Sequence, residues 1–314
     1  MRKPKLQERA TNLPNSVLRR TARLLDASTL KFWAWASLVS QILIVVTGGL
    51  VRLTASGLGC PTWPKCTDKD LTTVPAQGIH GLIEFSNRML TFVLLVIAVG
   101  TLVAVIRSGT ERSRGLRSPA IVLVAGIPAQ AVLGGFTVWS KLNPWFVGSH
   151  FVLSAVMIVT ATVLVWRVYA PVVPDAAQAG KVTLPISTLG AIAVVIGVLV
   201  TGAGPHAGDA QSVRNGLDLE VWQHYHSYPA YALLFLAIVQ LNALMRADRG
   251  RDGQRMTLGT KISLFLVSTV ILQAIVGVAQ SRMGVPAGLV LVHMLLASVL
   301  ISLLAFNQLA NRTK

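Results

Sequence analysis

The sequence predicts an all-α, polytopic membrane protein whose eight transmembrane helices form two parallel four-helix-bundle repeats. Three observations carry that reading. Hydrophobic residues make up 53% of the chain and charged residues only 13%, where soluble domains carry about 25% charged residues. Apolar stretches of about 20 residues, enough at about 1.5 Å rise per residue to cross a bilayer core, recur along the chain. The chain also repeats itself. Gln130-Ala131-Val132-Leu133-Gly134 leads to His150 as Gln273-Ala274-Ile275-Val276-Gly277 leads to His293, with the same glutamine-to-histidine spacing.

The first predicted span, 33–53, follows a basic tail at 1–32. Near its end lies Val46-Thr47-Gly48, which returns as Val200-Thr201-Gly202 in the fifth span, 183–204. The second, 79–106, carries Glu84-Phe85-Ser86-Asn87-Arg88, which aligns with Gln223-His224-Tyr225-His226-Ser227 in the sixth, 222–245. Gln130 lies in the third, 119–139, and Gln273 in the seventh, 262–281. The fourth, 146–167, and the eighth, 286–307, open with His150 and His293. Only Ser281-Arg282-Met283-Gly284 separates the last two spans. The halves are 33–167 and 183–307, joined by a linker at 168–182 and followed by a tail at 308–314. An even number of spans in each half makes the repeats parallel, related by an axis along the membrane normal.

Of the 28 Lys and Arg residues, most fall in 1–32, 107–118, 167–182, 246–261 and the tail after 307. This bias places both termini in the cytoplasm of a bacterial cell membrane. The net charge of +16 is then a topology signal and a contact with lipid headgroups, and it calls for no nucleic-acid partner. The basic amino terminus is read as a cytoplasmic tail in preference to a mitochondrial transit peptide. Cys60 and Cys66, the only cysteines, lie in an external loop, where thiols tend to oxidise. They read equally as a stapling disulfide or as a redox pair that exchanges with an outside thiol. A zinc site lacks two ligands.

Imidazoles inside a membrane are costly and mark functional positions. Duplicated histidines from neighbouring helices, at one depth and among glycines, describe a bis-histidine haem pocket. In the second half the pair is His226 with His293; His224, two residues away, points to another face. In the first half His150 faces Asn87, a poor iron ligand. Either that iron is five-coordinate or His80 substitutes, since His80, Glu84 and Asn87 share one helix face. Glu84, a carboxylate within a span, suits proton transfer or stabilisation of developing positive charge. Its plainer reading is an ion-pair partner of Arg88 or Arg52, arginines that otherwise suit haem propionates.

Several segments together resemble the haem A synthase family over about residues 40 to 307. They are Gly48-Gly49-Leu50-Val51-Arg52-Leu53-Thr54 with Ser56-Gly57-Leu58, Cys60-Pro61-Thr62-Trp63-Pro64-Lys65-Cys66, Ile83-Glu84-Phe85 with Asn87-Arg88, Leu133-Gly134-Gly135-Phe136-Thr137-Val138, and Val285-Pro286 followed by His293. The resemblance implies an eight-helix bacterial membrane enzyme serving cytochrome oxidase biogenesis. It would oxidise one methyl of haem O to a formyl group through two hydroxylations and loss of water. It implies haem b on His226 and His293, substrate haem O near His150 with haem A as product, and Glu84 as the essential carboxylate. Cys60 and Cys66 match an outer disulfide thought to serve electron transfer. Implied partners are haem O synthase, oxidase assembly factors, an external thiol or quinone and, beyond the lipid bilayer, a second copy in a homo-oligomer. Asn87 and His226-Ser227 depart from many members and resemble the actinobacterial type. There the loop at Gly204-Pro205-His206 makes His206 a loop residue. The rival class is a di-haem, quinol-linked electron carrier. A transporter would use the same groups as a proton relay, and a prenyltransferase would need paired aspartates that no span-end carries.

Overall fold

The computed structural model describes residues 29–108, 111–169, 180–250 and 255–311. The basic tail at 1–28 and most of the linker, 170–179, lie outside the described residues. Eight helices are long and apolar enough to cross a membrane: α1 Leu30–Leu53, α2 Gly78–Arg107, α3 Glu111–Trp139, α4 Pro144–Tyr169, α5 Gly180–Ala203, α6 Leu219–Arg249, α7 Leu258–Arg282 and α8 Ala287–Asn311. Among the described residues no strand occurs. Hydrocarbon offers no partner for a backbone N–H or C=O, so the chain satisfies them within each span as a helix. Caps appear where helices start in polar surroundings. The Asp218 side chain accepts from Val221 N–H at 3.0 Å to open α6, and Thr257 does so for Thr260 at 3.3 Å to open α7.

Consecutive helices pack on one another, with α1 closing on α4 and α5 closing on α8. Between the two sets, α4 packs on α8, α1 on α8, and α4 on α5. The last two contacts exchange under the repeat, as expected for a pseudo-twofold axis along the bundle.

The repeat extends into backbone detail. The turn before α4 and the turn before α8 each hold a non-glycine residue in the left-handed region, Leu142 and Val285, both at φ 60°. Leu142 N–H donates to Thr137 O at 2.7 Å, and Val285 N–H donates to Gln280 O at 2.7 Å. The next turn matches too, with Val147 bonded to Asn143 O and Val290 to Pro286 O, both at 3.1 Å. These turns lie on the face that also carries the α1–α2 and α5–α6 loops, referred to below as the disulfide face.

Away from that face the two sets differ. Around α4 the buried residues are mostly apolar, among them Leu116, Leu123, Met157, Leu164 and Val165, with a buried cross-helix bond inside the set, Ser37 to Thr101 at 2.9 Å. In the α5–α8 set the corresponding depth holds a polar network. Gln240 donates to Thr183 Oγ1 and accepts from Asn307, each at 2.9 Å. Asn307 Oδ1 accepts from Ser263 and from Asn311, again at 2.9 Å. Four helices are thus bonded together through fully enclosed side chains, each group satisfied.

Candidate functional site

His226 enters two turns into α6 from the disulfide face, and His293 in the second turn of α8. Glycines on the neighbouring helices make room for both rings. A Cβ on Gly197 would lie 3.0 Å from His226 Cε1, and one on Gly277 3.2 Å from His293 Cε1. His226 Nδ1 lies 3.0 Å from Ala193 O. A carbonyl only accepts, so Nδ1 carries the proton and Nε2 keeps its lone pair, the arrangement that prepares an imidazole for a metal. His293 Nδ1 is buried without a partner. The two ring centroids are 6.3 Å apart, with planes inclined at 66°. For imidazoles on opposite sides of one ion, bonds of about 2 Å and ring centres about 1.1 Å behind each nitrogen give about 6.2 Å. The pair fits one iron. His224 is exposed, its Nδ1 bonded to Glu220 O at 2.7 Å, and lies outside the pair.

The α1–α4 set repeats half of this. His150 packs on Gly134, where a Cβ would lie 3.4 Å from Cε1, and its Nδ1 is also buried without a partner. Gln130 Nε2 donates to His150 O at 3.3 Å, as Gln273 Nε2 donates to His293 O at 3.1 Å. The duplicated glutamines therefore hold the backbone of the duplicated histidines. Opposite, the position equivalent to His226 is Asn87, whose Oδ1 is buried and unbonded. His80 is exposed at the start of α2, with Nδ1 2.9 Å from Ser56 Oγ. That bond engages one ring nitrogen and leaves Nε2 open.

Glu84, only 6% exposed, sits one turn from His80 on the same helix. Its Oε2 accepts from Cys60 N–H at 2.6 Å, and its Oε1 pairs with Arg88. The plainer expectation, a partner for Arg88, is therefore met; Arg52 lies elsewhere. Arg88 also donates to Cys60 O at 2.9 Å, Thr62 O at 3.0 Å and Lys65 O at 3.2 Å. All three of its nitrogens are thus engaged. The loop so held is closed by a Cys60–Cys66 disulfide. Gln77 Nε2 donates to Cys66 O at 3.3 Å, and Trp139 Nε1 donates to Trp63 O at 3.2 Å. The Trp63 indole lies on Gly135, where a Cβ would approach it to 2.6 Å. Gly134 and Gly135 thus seat His150 and Trp63 side by side.

Arg52, at the end of α1, crosses to the other set: Nη2 donates to Thr201 O of α5 at 2.6 Å, and its Nε is buried without a partner. His206 donates from Nε2 to Val285 O at 2.8 Å, as a loop residue would.

The model of the family described as cytochrome oxidase assembly proteins matches residues 31–305. The chain belongs to that family. Its relatives include the haem A synthase of Bacillus licheniformis, 25% identical over 288 residues, covering 85% of this chain and 91% of the relative. That of Listeria welshimeri is 26% identical over 312 residues, covering 91% and 96%. That of Halalkalibacterium halodurans is 29% identical over 141 residues, covering 43% and 45%.

Family membership joins a haem-related name to a site whose donors suit haem: lone-pair imidazoles, small residues beside them, and apolar walls. Trp63, Gln77 and the cross-over of Arg52 were not legible as site features in the sequence. Only Trp63 left a signal, as the one large ring between the two cysteines.

Proposed function

We propose that this protein is a haem A synthase, an oxidoreductase that converts a methyl group of haem O to the formyl group of haem A. His226 and His293 hold a b-type haem, and the substrate haem lies beside His150. One observation carries the reading: the duplicated site is asymmetric. One half keeps two facing imidazoles; the other replaces one by Asn87 and sets a buried carboxylate nearby. A pure electron carrier has use for two six-coordinate irons and none for Glu84.

Bound haem supplies the redox chemistry. Each hydroxylation would add one oxygen at the oxidation level of water and release two protons and two electrons. The four electrons in all would pass to an acceptor of the quinone class, and the geminal diol would lose water to leave the aldehyde. His150, its own backbone fixed by Gln130, would hold and orient the substrate porphyrin. Glu84 acts as a held negative charge: Cys60 N–H and Arg88 fix both oxygens, so it stabilises positive charge developing on the reacting carbon. Because Arg88 also grips the Cys60–Cys66 loop, the carboxylate and the disulfide move as one unit. The loop faces the outside of a bacterial cell membrane with both termini cytoplasmic, where a thiol or quinone exchanges electrons with it.

The test is extraction and chromatography of haem from protein made in cells that supply haem O. Haem A in the extract is expected; haem B with unconverted haem O alone would favour the electron carrier.

A further inference from the structure

The seam between the two helix sets holds two arginines without an acid. Among the described residues neither makes an ion pair with an acid, and Glu84 is taken by Arg88. Arg52 spends one N–H on Thr201 O and keeps Nε buried and unbonded. Arg214, in the α5–α6 loop, donates to Ser212 O at 2.7 Å and Pro205 O at 2.6 Å. It lies within Coulombic reach of Arg52. The backbone draws the two loops together here: Gly57 N–H of the first set donates to Gly208 O of the second at 2.8 Å, and Gly208 packs against Arg52. Arg214 is exposed and Arg52 half-buried; two cations within Coulombic reach repel each other, and the buried Arg52 N–H without an acceptor is costly. Such an arrangement calls for an anion.

Position says which anion. Thr201 lies one helical turn, about 6 Å, beyond Gly197 toward the disulfide face, and Gly197 is the residue on which His226 packs. A porphyrin held by His226 and His293 with its acidic edge toward that face would bring its carboxylates to this level. We infer that Arg52 and Arg214 form a carboxylate-binding pair that receives the propionates of the porphyrin held by His226 and His293. Arg52 belongs to the first half by sequence yet serves the ligand of the second, so the ligand ties the halves together. The inference rests on the histidine-pair reading. A phospholipid phosphate shares this chemistry and is the competing occupant. Guanidinium forks suit both, but an unbonded Nε enclosed in protein favours a ligand that enters the bundle over one that stays in the headgroup layer.

The experiment titrates full-length protein, freed of haem and carrying His150→Ala to silence the first half, in maltoside micelles. The probes are haem B and its dimethyl ester, followed by Soret absorbance. The parent is expected to prefer the diacid. Arg214→Gln should weaken the diacid about tenfold or more while changing the ester by less than about threefold. Arg214→Lys, which keeps the charge, should retain the preference, and Arg52→Gln should lose it. Equal loss for both porphyrins would show that the arginines act through the fold, and an undiminished diacid affinity would show that they do not touch it; either overturns the inference. So does a retained diacid preference in Arg214→Gln combined with lost thermal stabilisation by added phosphatidylglycerol, which assigns the pair to lipid. His293→Ala separates the two ideas. If it leaves binding intact, the histidine-pair reading fails and the arginine site falls with it; if it abolishes binding while Arg214→Gln does not, only the arginine site fails.

Discussion

Glu84→Gln preserves shape and removes charge, so it separates what the carboxylate does for the loop from what it does for the reaction. Glu84 accepts from Cys60 N–H and twice from Arg88. The amide oxygen can keep either the two Arg88 bonds or the Cys60 bond, and the NH2 then faces a donor at the other position. Hydrogen bonds to charged partners are worth about 1.5–3 kcal/mol and neutral ones about 0.5–1.5. The exchange therefore weakens the loop anchor by about 2 kcal/mol, or about thirtyfold in the equilibrium for loop opening. On the reacting carbon, a fixed anion about 4 Å from a full positive charge contributes about 4 kcal/mol at an effective dielectric near 20. Arg88 cancels part of that, which leaves an expected fall of about tenfold to a hundredfold in haem A formation. Two assays read the two effects: chromatography of extracted haem, and the rate at which a mild reductant exposes Cys60 and Cys66 to a thiol reagent. The b-haem spectrum should persist. A variant that opens its loop faster yet makes haem A at the parent rate would refute the catalytic role and leave Glu84 as an anchor.

His226→Ala should remove the bis-histidine haem spectrum from purified protein, whereas His224→Ala should leave it within error; the reverse would reassign the ligand on α6. Asn307→Leu removes bonds to Gln240, Ser263 and Asn311. At about 0.6 kcal/mol per interhelical bond, plus the groups left unpaired, it should cost about 2 kcal/mol, read as a thermal midpoint several degrees lower in detergent. An unchanged midpoint would show that the network does not hold the helices together.

How much the sequence disclosed depended on whether a feature is local. Spans were legible because hydrocarbon forces every backbone bond inward, so hydropathy alone marks a helix. Most helix ends follow within about four residues; α2, expected from 79 to 106, runs Gly78–Arg107, whereas α3, expected from 119, starts at Glu111. The glutamine-to-histidine repeat was legible because duplication copies spacing, and the structure copies it further, to the turns at Leu142 and Val285. The approach of His226 to His293 followed from the repeat and the parallel topology. Long-range polar contacts were not legible. Arg88 could be paired with Glu84 from spacing, but not with three carbonyls of a loop more than twenty residues earlier. Nothing in Gly48-Gly49-Leu50-Val51-Arg52 announces that its arginine ends on α5. Gln240 and Asn307 could have been flagged by the rule applied to the histidines, since amides within spans are also costly; Asn311 fell in the expected tail, and the helix runs on to include it. Their partners, however, come from four helices.

The asymmetry of the site has a counterpart in how the halves are held. In the α5–α8 set, buried amides and hydroxyls tie all four helices together, and in a membrane such bonds fix register more than they add stability. The α1–α4 set is held less densely at that depth: Ser37 bonds to Thr101 between α1 and α2 at 2.9 Å, and Thr162 bonds outward to Ser302 of α8 at 2.9 Å, so fewer directional bonds resist a small shift. That division matches the two occupants proposed. A resident haem keeps a constant environment best in a bundle that cannot slide, since its potential responds to ligand geometry and solvent access. A substrate haem must enter and leave, and the bundle that takes it must part and close again. The most densely bonded piece of that bundle lies on the disulfide face, where Arg88 gathers Glu84 and three loop carbonyls around a single guanidinium. The first half thus has fewer cross-helix bonds where the proposed substrate would pass and a dense cluster of them where the carboxylate would stand.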